Sequence, residues 1–554
     1  MTEEDVDGPA GGGPTGVGGP TVGRATRTMA IGTVASRATG FLRSLALVAV
    51  LGVQLVPDAY NAANTLPNMV YELLLGGILT SVFVPLIVQA QHSDADHGEA
   101  YTQRLLTITV VVLGVATVLA VLAAPLLVGL QGFSPHNPPE HALAVGLARL
   151  LLPEILFYGI AASLAAVLNS RGHFATPMWA PVANNLVILA TCAVFIALPG
   201  PSRLTAGSIT TTQVLVLGIG TTLGIVGQAA MLWPAVRRVG FRWRWRFDVG
   251  NARLGEAGGL AAWMLVYVAV SQVGVIVVQR LAVLNHQSHP GVSGLTVLVN
   301  AQLLFMLPHG IIAVSLITAL LPRMSRAAVD GRLRDVARDL SLGSRLSSAV
   351  LLPVAAAFIA LGPPLGIVLY SYGRSSVGDG RDIGLALAAG ALGLLPFAVG
   401  QMQIFAFYSL RDTRTPALIN VAVVATKVTV DVVLYASLPP GNLVEGLMWG
   451  NTASYLVAVT VSGWLLSRRL GGLDTARVVR TLVRLTIAAA IGGLLAWAVA
   501  AGVRRGLGDA AAGSAAMLAG GSLVGAIGYV AVSLRLRVAE VHDLLGTVRG
   551  RFGR

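Results

Sequence analysis

The sequence predicts an all-α polytopic membrane protein: two parallel six-span halves followed by two further spans, about 14 transmembrane helices in all. Three observations predict it. Only 11% of the 554 residues are charged, 55% are hydrophobic and the mean hydropathy is +0.75, whereas a soluble domain carries about 25% charged residues. The apolar runs recur at the length of about 20 residues that a helix needs to cross a bilayer. Short words repeat at a separation of roughly 240 residues in the same order.

The elements follow from the N-terminus. Residues 1–27 begin with a stretch rich in glycine, proline and acid and read as a disordered cytoplasmic tail. The fourteen expected spans are 28–53, 61–90, 104–130, 142–168, 177–198, 211–235, 255–284, 294–322, 343–370, 382–409, 416–438, 442–467, 479–503 and 510–534. They divide the chain into an N-terminal lobe (28–235), a basic and aromatic cytoplasmic linker (236–254), a C-terminal lobe (255–467), helices 13 and 14 (468–534) and a basic cytoplasmic tail (535–554). Basic residues set the orientation. With the N-terminus inside, 28 of the 38 fall in cytoplasmic segments and six outside, the bias expected of cytoplasmic loops. Both termini are therefore expected in the cytoplasm. The linker alternates rings and charges, Phe241-Arg242-Trp243-Arg244-Trp245-Arg246-Phe247, as a segment at the headgroup level does. This position between two spans argues against nucleic acid as the partner.

The repeat rests on several pairs. Ser170 to Pro177 follows span four, and Ser409 to Pro416 follows span ten. Leu151-Leu152-Pro153 opens span four, and Leu394-Leu395-Pro396 lies within span ten. Leu79-Thr80 before Pro85 matches Ile317-Thr318 before Pro322. Parallel repeats commonly place a substrate site between them near the midplane.

The charges inside spans carry the chemistry. Arg37 and Arg43 lie in span one, and each costs roughly 2.5–3.5 kcal/mol at a bilayer centre on insertion scales. They are tolerated facing protein or a water-filled cavity, and a cationic cavity points to an anionic cargo. The alternative is a pairing with an acid such as Glu72, or snorkelling to the cytoplasmic face. Glu154 is a further candidate partner. Lys427, the one lysine of the chain, stands four residues before Asp431 in span eleven, so the two can pair on one helix face. Cys192 is the single cysteine, so no intrachain disulfide forms. No phosphate-binding loop, zinc-ligand cluster or nucleophile constellation stands out, so a transporter is expected rather than an enzyme, with no cofactor.

Ser36-Arg37 through Phe41-Leu42-Arg43, then Asp58-Ala59, Leu66-Pro67-Asn68 and Phe83-Val84-Pro85, resembles the MurJ (MviN) family of lipid II flippases, in the multidrug/oligosaccharidyl-lipid/polysaccharide exporter superfamily. The resemblance covers roughly residues 28–470. It implies two six-helix lobes around a central cavity, with helices 13 and 14 forming a groove for a lipid tail. It implies movement of lipid II, an undecaprenyl-pyrophosphate-linked peptidoglycan precursor, from the inner to the outer leaflet by alternating access for cell-wall synthesis. By resemblance Arg37 and Arg43 contact the headgroup pyrophosphate, which suits the planar, permanently charged guanidinium fork. Asp58 matches a family aspartate at the outer end of the first hairpin, with a gating or capping role as the alternative to substrate contact. Asn68 and Glu72 belong to the same expected substrate-binding set. Some members couple transport to a monovalent cation in the second lobe, so Lys427 and Asp431 read as an ion-coupling site or a structural ion pair; membrane potential is the other energy source. Expected partners are lipid II, membrane lipids and proteins of cell-wall synthesis or division.

The departures are specific. Met69 to Gly77 replaces the family's arginine-containing stretch after Leu-Pro-Asn, and the charges expected on span eight fall at Leu303 and Met306. Gln302, His309 or Arg149 are the candidate substitutes. These losses keep two other readings open: a flippase for another polyprenyl-linked saccharide, and a non-transporting membrane scaffold for cell-wall machinery.

Overall fold

A computed structural model of the chain describes residues 20–75, 84–94, 96, 98–201, 204–248, 258–543 and 546. The first half comprises α1 (Pro20–Leu51), α2 (Leu55–Leu75), α3 (Val84–Ser93), α4 (Glu99–Leu122), α5 (Ala124–Leu130), α6 (Pro138–Leu151), α7 (Glu154–Ser170), α8 (Ala175–Ala197) and α9 (Thr211–Arg238). The second half comprises α10 (Gly258–Ser288), α11 (Leu295–Val329), α12 (Leu333–Tyr370), α13 (Val377–Gly390), α14 (Leu394–Ser409), α15 (Arg414–Ser437) and α16 (Leu443–Arg469). Then come α17 (Thr475–Leu507) and α18 (Ala511–Arg535). Among the described residues, 12 helical segments are long and apolar enough to cross a membrane. The protein is all-α and polytopic. α16 stands outside that set because Glu445, Asn451, Thr452 and Ser454 dilute its apolar run. The expected second span is described only as α2 and α3, and residues 76–83 between them lie outside the described residues, as do residues 1–19 of the expected tail.

Local chemistry explains the boundaries. Thr210 accepts from the Gln213 backbone N–H at 3.2 Å while Gln213 returns a bond to the Thr210 N–H at 3.0 Å, a capping box that starts α9. Ser376 and Asp379 do the same for α13. Two boundaries differ from the expectation. α1 begins at Pro20, so residues 20–27 of the expected tail are helical. Pro153 does not open a crossing but breaks one in the middle, between α6 and α7. Its repeat partner breaks α13 from α14 through a 3-10 turn at Ala391–Gly393, so both copies of Leu-Leu-Pro mark a mid-span break. Proline lacks the N–H that would continue the ladder.

Each half packs on itself: α1 on α8, α8 on α9, α7 on α4 and α9, α2 on α6; then α10 on α15, α15 on α16, α14 on α16, and α12 on α11, α13 and α14. α17 and α18 pair with each other and rest on α12. Small residues permit this closeness. A Cβ at Gly362 would meet the Gly384 carbonyl oxygen at 2.5 Å, so glycine is required where α12 crosses α13.

The two ends of the bundle differ. At the end carrying residues 52–54, 131–137 and 289–294, one apolar core joins both lobes, from Tyr60, Phe133 and Leu147 to Phe305, Tyr370 and Leu447. At the opposite end, which carries the 239–248 linker, each lobe keeps its own core. One includes Leu106, Leu164, Leu232 and Phe241, and the other Leu320, Leu340, Phe407 and Leu466. The lobes are thus fused at the first end, called here the latched end.

Candidate functional site

The lobes meet along two facing helices. α2 presents Asp58, Thr65 and Glu72, and antiparallel α10 presents His286, Gln279 and Gln272. Asp58 Oδ2 shares a 2.7 Å hydrogen bond with His286 Nδ1, Gln279 donates to Thr65 Oγ1 at 3.2 Å, and Gln272 donates to Glu72 Oε2 at 2.7 Å. Seven residues make about two turns, or about 10.5 Å, so the three pairs form rungs of one polar zipper. Its end rung is the most elaborate. α11 starts after Gly294, which has no side chain to cap it. Asp58 reaches across from the other lobe instead, accepting from the Leu295 and Thr296 backbone N–H groups at 3.1 and 2.7 Å and from the Thr296 hydroxyl at 2.5 Å. A carboxylate at a helix N-terminus satisfies orphan donors and meets the positive end of the helix dipole. Asn61 adds a 3.0 Å bond to Thr296, and Ser44 donates to Asn300 at 2.7 Å. Arg280 donates to the Gly129 carbonyl at 3.0 Å and Arg374 to the Val50 carbonyl at 2.7 Å.

Level with the zipper, which itself runs about 21 Å from Asp58 to Glu72, lie the charges of span one. At about 1.5 Å per residue, Arg43 sits about 12 Å and Arg37 about 21 Å along α1 from Leu51. Arg37 is exposed, and its guanidinium lies against Gly310 of α11, where any Cβ would collide with it. Arg43 is half-buried with its Nε unpartnered, close enough to Glu154, Tyr60 and Cys192 to act on them electrostatically. Neither arginine forms an ion pair with a described residue. The alternative pairing with Glu72 does not occur. Glu72 is occupied by Asn68, which donates to its Oε1 at 3.0 Å, and by Gln272. Glu154 is fully buried, accepts only a long 3.4 Å bond from Thr222, and closes no ion pair with either arginine.

The candidate substitutes for the absent span-eight charges separate. Gln302, Met306 and Gly310 share one face of α11 by spacing of four, the face that meets Arg37. Gln302 is half-buried without a hydrogen bond to a described residue, and Met306 is exposed. His309 instead packs on Phe397, ring centroids 4.5 Å apart, beside Phe305 and Tyr455. Arg149 is exposed on α6 without an ion pair among the described residues.

In the second lobe, Lys427 pairs with Asp431 Oδ2 at 3.4 Å and donates to Asn451 Oδ1 on α16. Asp431 is fully buried against Gly450, and neither of its oxygens accepts any other hydrogen bond. The ammonium is the one cationic group beside the Asp431 carboxylate among the described residues.

The zipper partners on α10 and α11 were missed by a reading that weighed charges alone. Their signal is legible in the spacing: Gln272, Gln279 and His286 recur every seven residues within an apolar span, as do Asp58, Thr65 and Glu72.

Comparison with known proteins agrees with this architecture. The sequence model of the family described as Lipid II flippase MurJ matches residues 47–506. The match runs beyond the expected 470 but leaves Arg37 and Arg43 N-terminal to it. A Rhizobium meliloti (strain 1021) protein described as "Probable lipid II flippase MurJ" is 27% identical over 463 residues, covering 83% of both chains. The Burkholderia cenocepacia "Lipid II flippase MurJ" is 26% identical over 414 residues, covering 72% of this chain and 76% of the relative. Among solved structures, "Lipid II flippase MurJ, inward closed conformation" superposes with a TM-score of 0.72 at 18% identity, over 93% of this chain and 99% of that one. An inward-facing multidrug resistance MATE transporter of the MOP superfamily reaches 0.60 at 14% identity, over 81% and 98%. The chain belongs to the lipid II flippase MurJ family.

Proposed function

We propose that the chain moves lipid II from the inner to the outer leaflet of a bacterial plasma membrane by alternating access. The observation that carries this reading is Arg37: a guanidinium inside a membrane span, exposed between the lobes, with no carboxylate partner among the described residues. A pyrophosphate supplies the missing counter-charge through bidentate, charge-assisted hydrogen bonds. In this reading both termini and the linker end are cytoplasmic, and the latched end faces outward. The headgroup enters from the linker side and meets Arg37 and then Arg43. The three rungs between α2 and α10 separate as the lobes rock, Glu72 and Asn68 exchange their protein contacts for sugar or peptide groups, and Gln302 gains its hydrogen-bond partner from the same groups. Transport involves no covalent step.

The second lobe supports a reading of the energy source. Lys427 serves as a tethered cation in place of a dissociable one, so the membrane potential rather than a monovalent-cation gradient drives the cycle. An inside-negative potential pushes a negative headgroup outward by about 2.3 kcal/mol per charge per 100 mV.

The test is reconstitution. Vesicles holding the purified chain and fluorescent lipid II on one leaflet are assayed with a membrane-impermeant quencher, with and without an imposed potential. Redistribution that depends on the potential, ignores sodium and potassium, and is lost in Arg37→Ala supports the reading. Redistribution of a different polyprenyl-linked saccharide in preference to lipid II would reassign the cargo. No movement of either would favour a scaffold.

A further inference from the structure

A second cationic feature lies at the linker end, on the flank of the first lobe. α9 ends at Arg238, Gly240 turns the chain at a φ of +84°, and residues 241–248 run back along α4. Phe241 is buried in the lobe's own core. Gln103 donates to the Arg242 carbonyl at 2.7 Å and accepts from Arg246 Nε at 2.9 Å. The Arg246 backbone N–H donates to Thr107 at 3.2 Å, and Arg171 donates to the Val239 carbonyl at 2.5 Å. The segment is therefore a fixed wall.

Between that wall and the end of α9 is a cavity of about 430 Å³, lined by Trp233, Val236, Arg237, Phe241, Arg242 and Trp243. Arg237 stacks on Trp233 at 5.2 Å. Neither Arg237 nor Arg242 meets a carboxylate among the described residues, and Asp248, at the end of the segment, pairs with Arg104 at 2.5 Å. The Trp243 indole N–H is buried without an acceptor. Two guanidinia and an indole donor are thus gathered without an acceptor among the described residues. Beside them Trp245 packs at a tilt against Trp243 at 4.7 Å and stacks on Phe247 at 6.2 Å, with Trp245 56% and Phe247 69% exposed. Exposed rings next to unpaired arginines at the end of a membrane helix match the headgroup zone of a bilayer.

We propose that this pocket binds the phosphate of an anionic phospholipid, with Arg237 and Arg242 on the phosphate oxygens and the Trp243 N–H as third donor. Trp245 and Phe247 rest in the interface beside the lipid. A free phosphate offers the same oxygens but would leave both rings uncovered. The assignment concerns a site remote from the zipper and does not depend on what the protein transports.

The test uses the full chain in detergent, titrated with phosphatidylglycerol, phosphatidylcholine or inorganic phosphate, read by native mass spectrometry and by thermal stability. Phosphatidylglycerol should be retained at one site and raise the melting temperature, while phosphatidylcholine does neither. Trp243→Phe, which keeps the ring and removes the donor, should weaken retention roughly tenfold, and each of Arg237→Ala and Arg242→Ala by about the same factor. Arg244→Ala, outside the pocket, should change nothing. Equal retention of both lipids, or unchanged retention in Trp243→Phe and in an Arg237→Ala/Arg242→Ala protein that remains monodisperse, would overturn the proposal. Saturation by inorganic phosphate that abolishes lipid retention would overturn the lipid source and assign the pocket to a free anion.

Discussion

Replacing Asp58 with asparagine should open the latched end. The carboxylate joins two lobes through four hydrogen bonds, to the backbone of Leu295 and Thr296, the Thr296 hydroxyl and His286. Asparagine fills the same volume and keeps one acceptor oxygen, so the Thr296 bonds can persist. Its amide nitrogen then replaces Oδ2 and faces the Leu295 N–H and His286, and the negative charge at the start of α11 is gone. Losing a helix cap costs about 0.5–2 kcal/mol, and leaving a buried donor unsatisfied costs about 1–3 kcal/mol. A combined loss of about 2–3 kcal/mol in the latched state alone shifts its ratio to any unlatched state by about 30- to 140-fold. Spin labels on Asn137→Cys and Gly441→Cys, both exposed at the latched end on opposite lobes, report this in a Cys192→Ser background by pulsed dipolar spectroscopy. The expected result is a second, longer distance in Asp58→Asn. Identical distance distributions with and without Asp58 would show that the zipper does not hold the lobes.

Three further outcomes follow from named contacts. Lys427→Met leaves the fully buried Asp431 carboxylate uncompensated and should destabilise the protein by about 3–5 kcal/mol; the thermal melt should recover in Lys427→Met/Asp431→Asn, and an unchanged melt in the single variant would remove the pair from the stability of the lobe. Gly310→Ala should displace the Arg37 guanidinium, whose flexible end can move aside, so lipid II movement falls severalfold while the melting temperature holds; a matching loss of both would mean the glycine serves packing instead. Between α14 and α15, burial alone would raise the Asp412 carboxyl, but hydrogen bonds from the Thr415 hydroxyl and backbone and from Arg469 hold it below the ordinary 3.8. Its contribution to stability is therefore complete above that value and lost as pH falls through the depressed one, so Asp412→Asn should flatten the acid side of the melting profile.

What the sequence made legible was whatever hydropathy and intramembrane charge encode. The spans, Pro153 and Pro396 as repeat partners, and the i,i+4 pairing of Lys427 with Asp431 all follow from local rules, whereas the mid-span break at Pro153, expected to open a crossing, shows only in the packed fold. The zipper did not emerge, because Gln272, Gln279 and Thr65 are neutral and common in membrane helices; only the seven-residue recurrence on two separate spans marks them. A capping role for Asp58 was legible but its target was not, since a cap supplied from another lobe leaves no trace at the α11 start beyond a glycine where serine or aspartate is usual. Glu72 looked like an arginine partner because charge was weighed without geometry: Asn68 reaches it from one turn earlier on the same helix, and Gln272 from across the packed lobes.

The most direct measurement is leaflet exposure of lipid II in cells depleted of their own flippase and expressing this chain. The readout is the fraction of lipid II cleaved by an externally added degrading enzyme. Restored cleavage that Arg37→Ala/Arg43→Ala abolishes, at equal membrane levels of the two proteins, is the predicted result. No restoration by the intact, inserted chain, or equal restoration by the double variant, would contradict a flippase whose headgroup site is built on these two arginines.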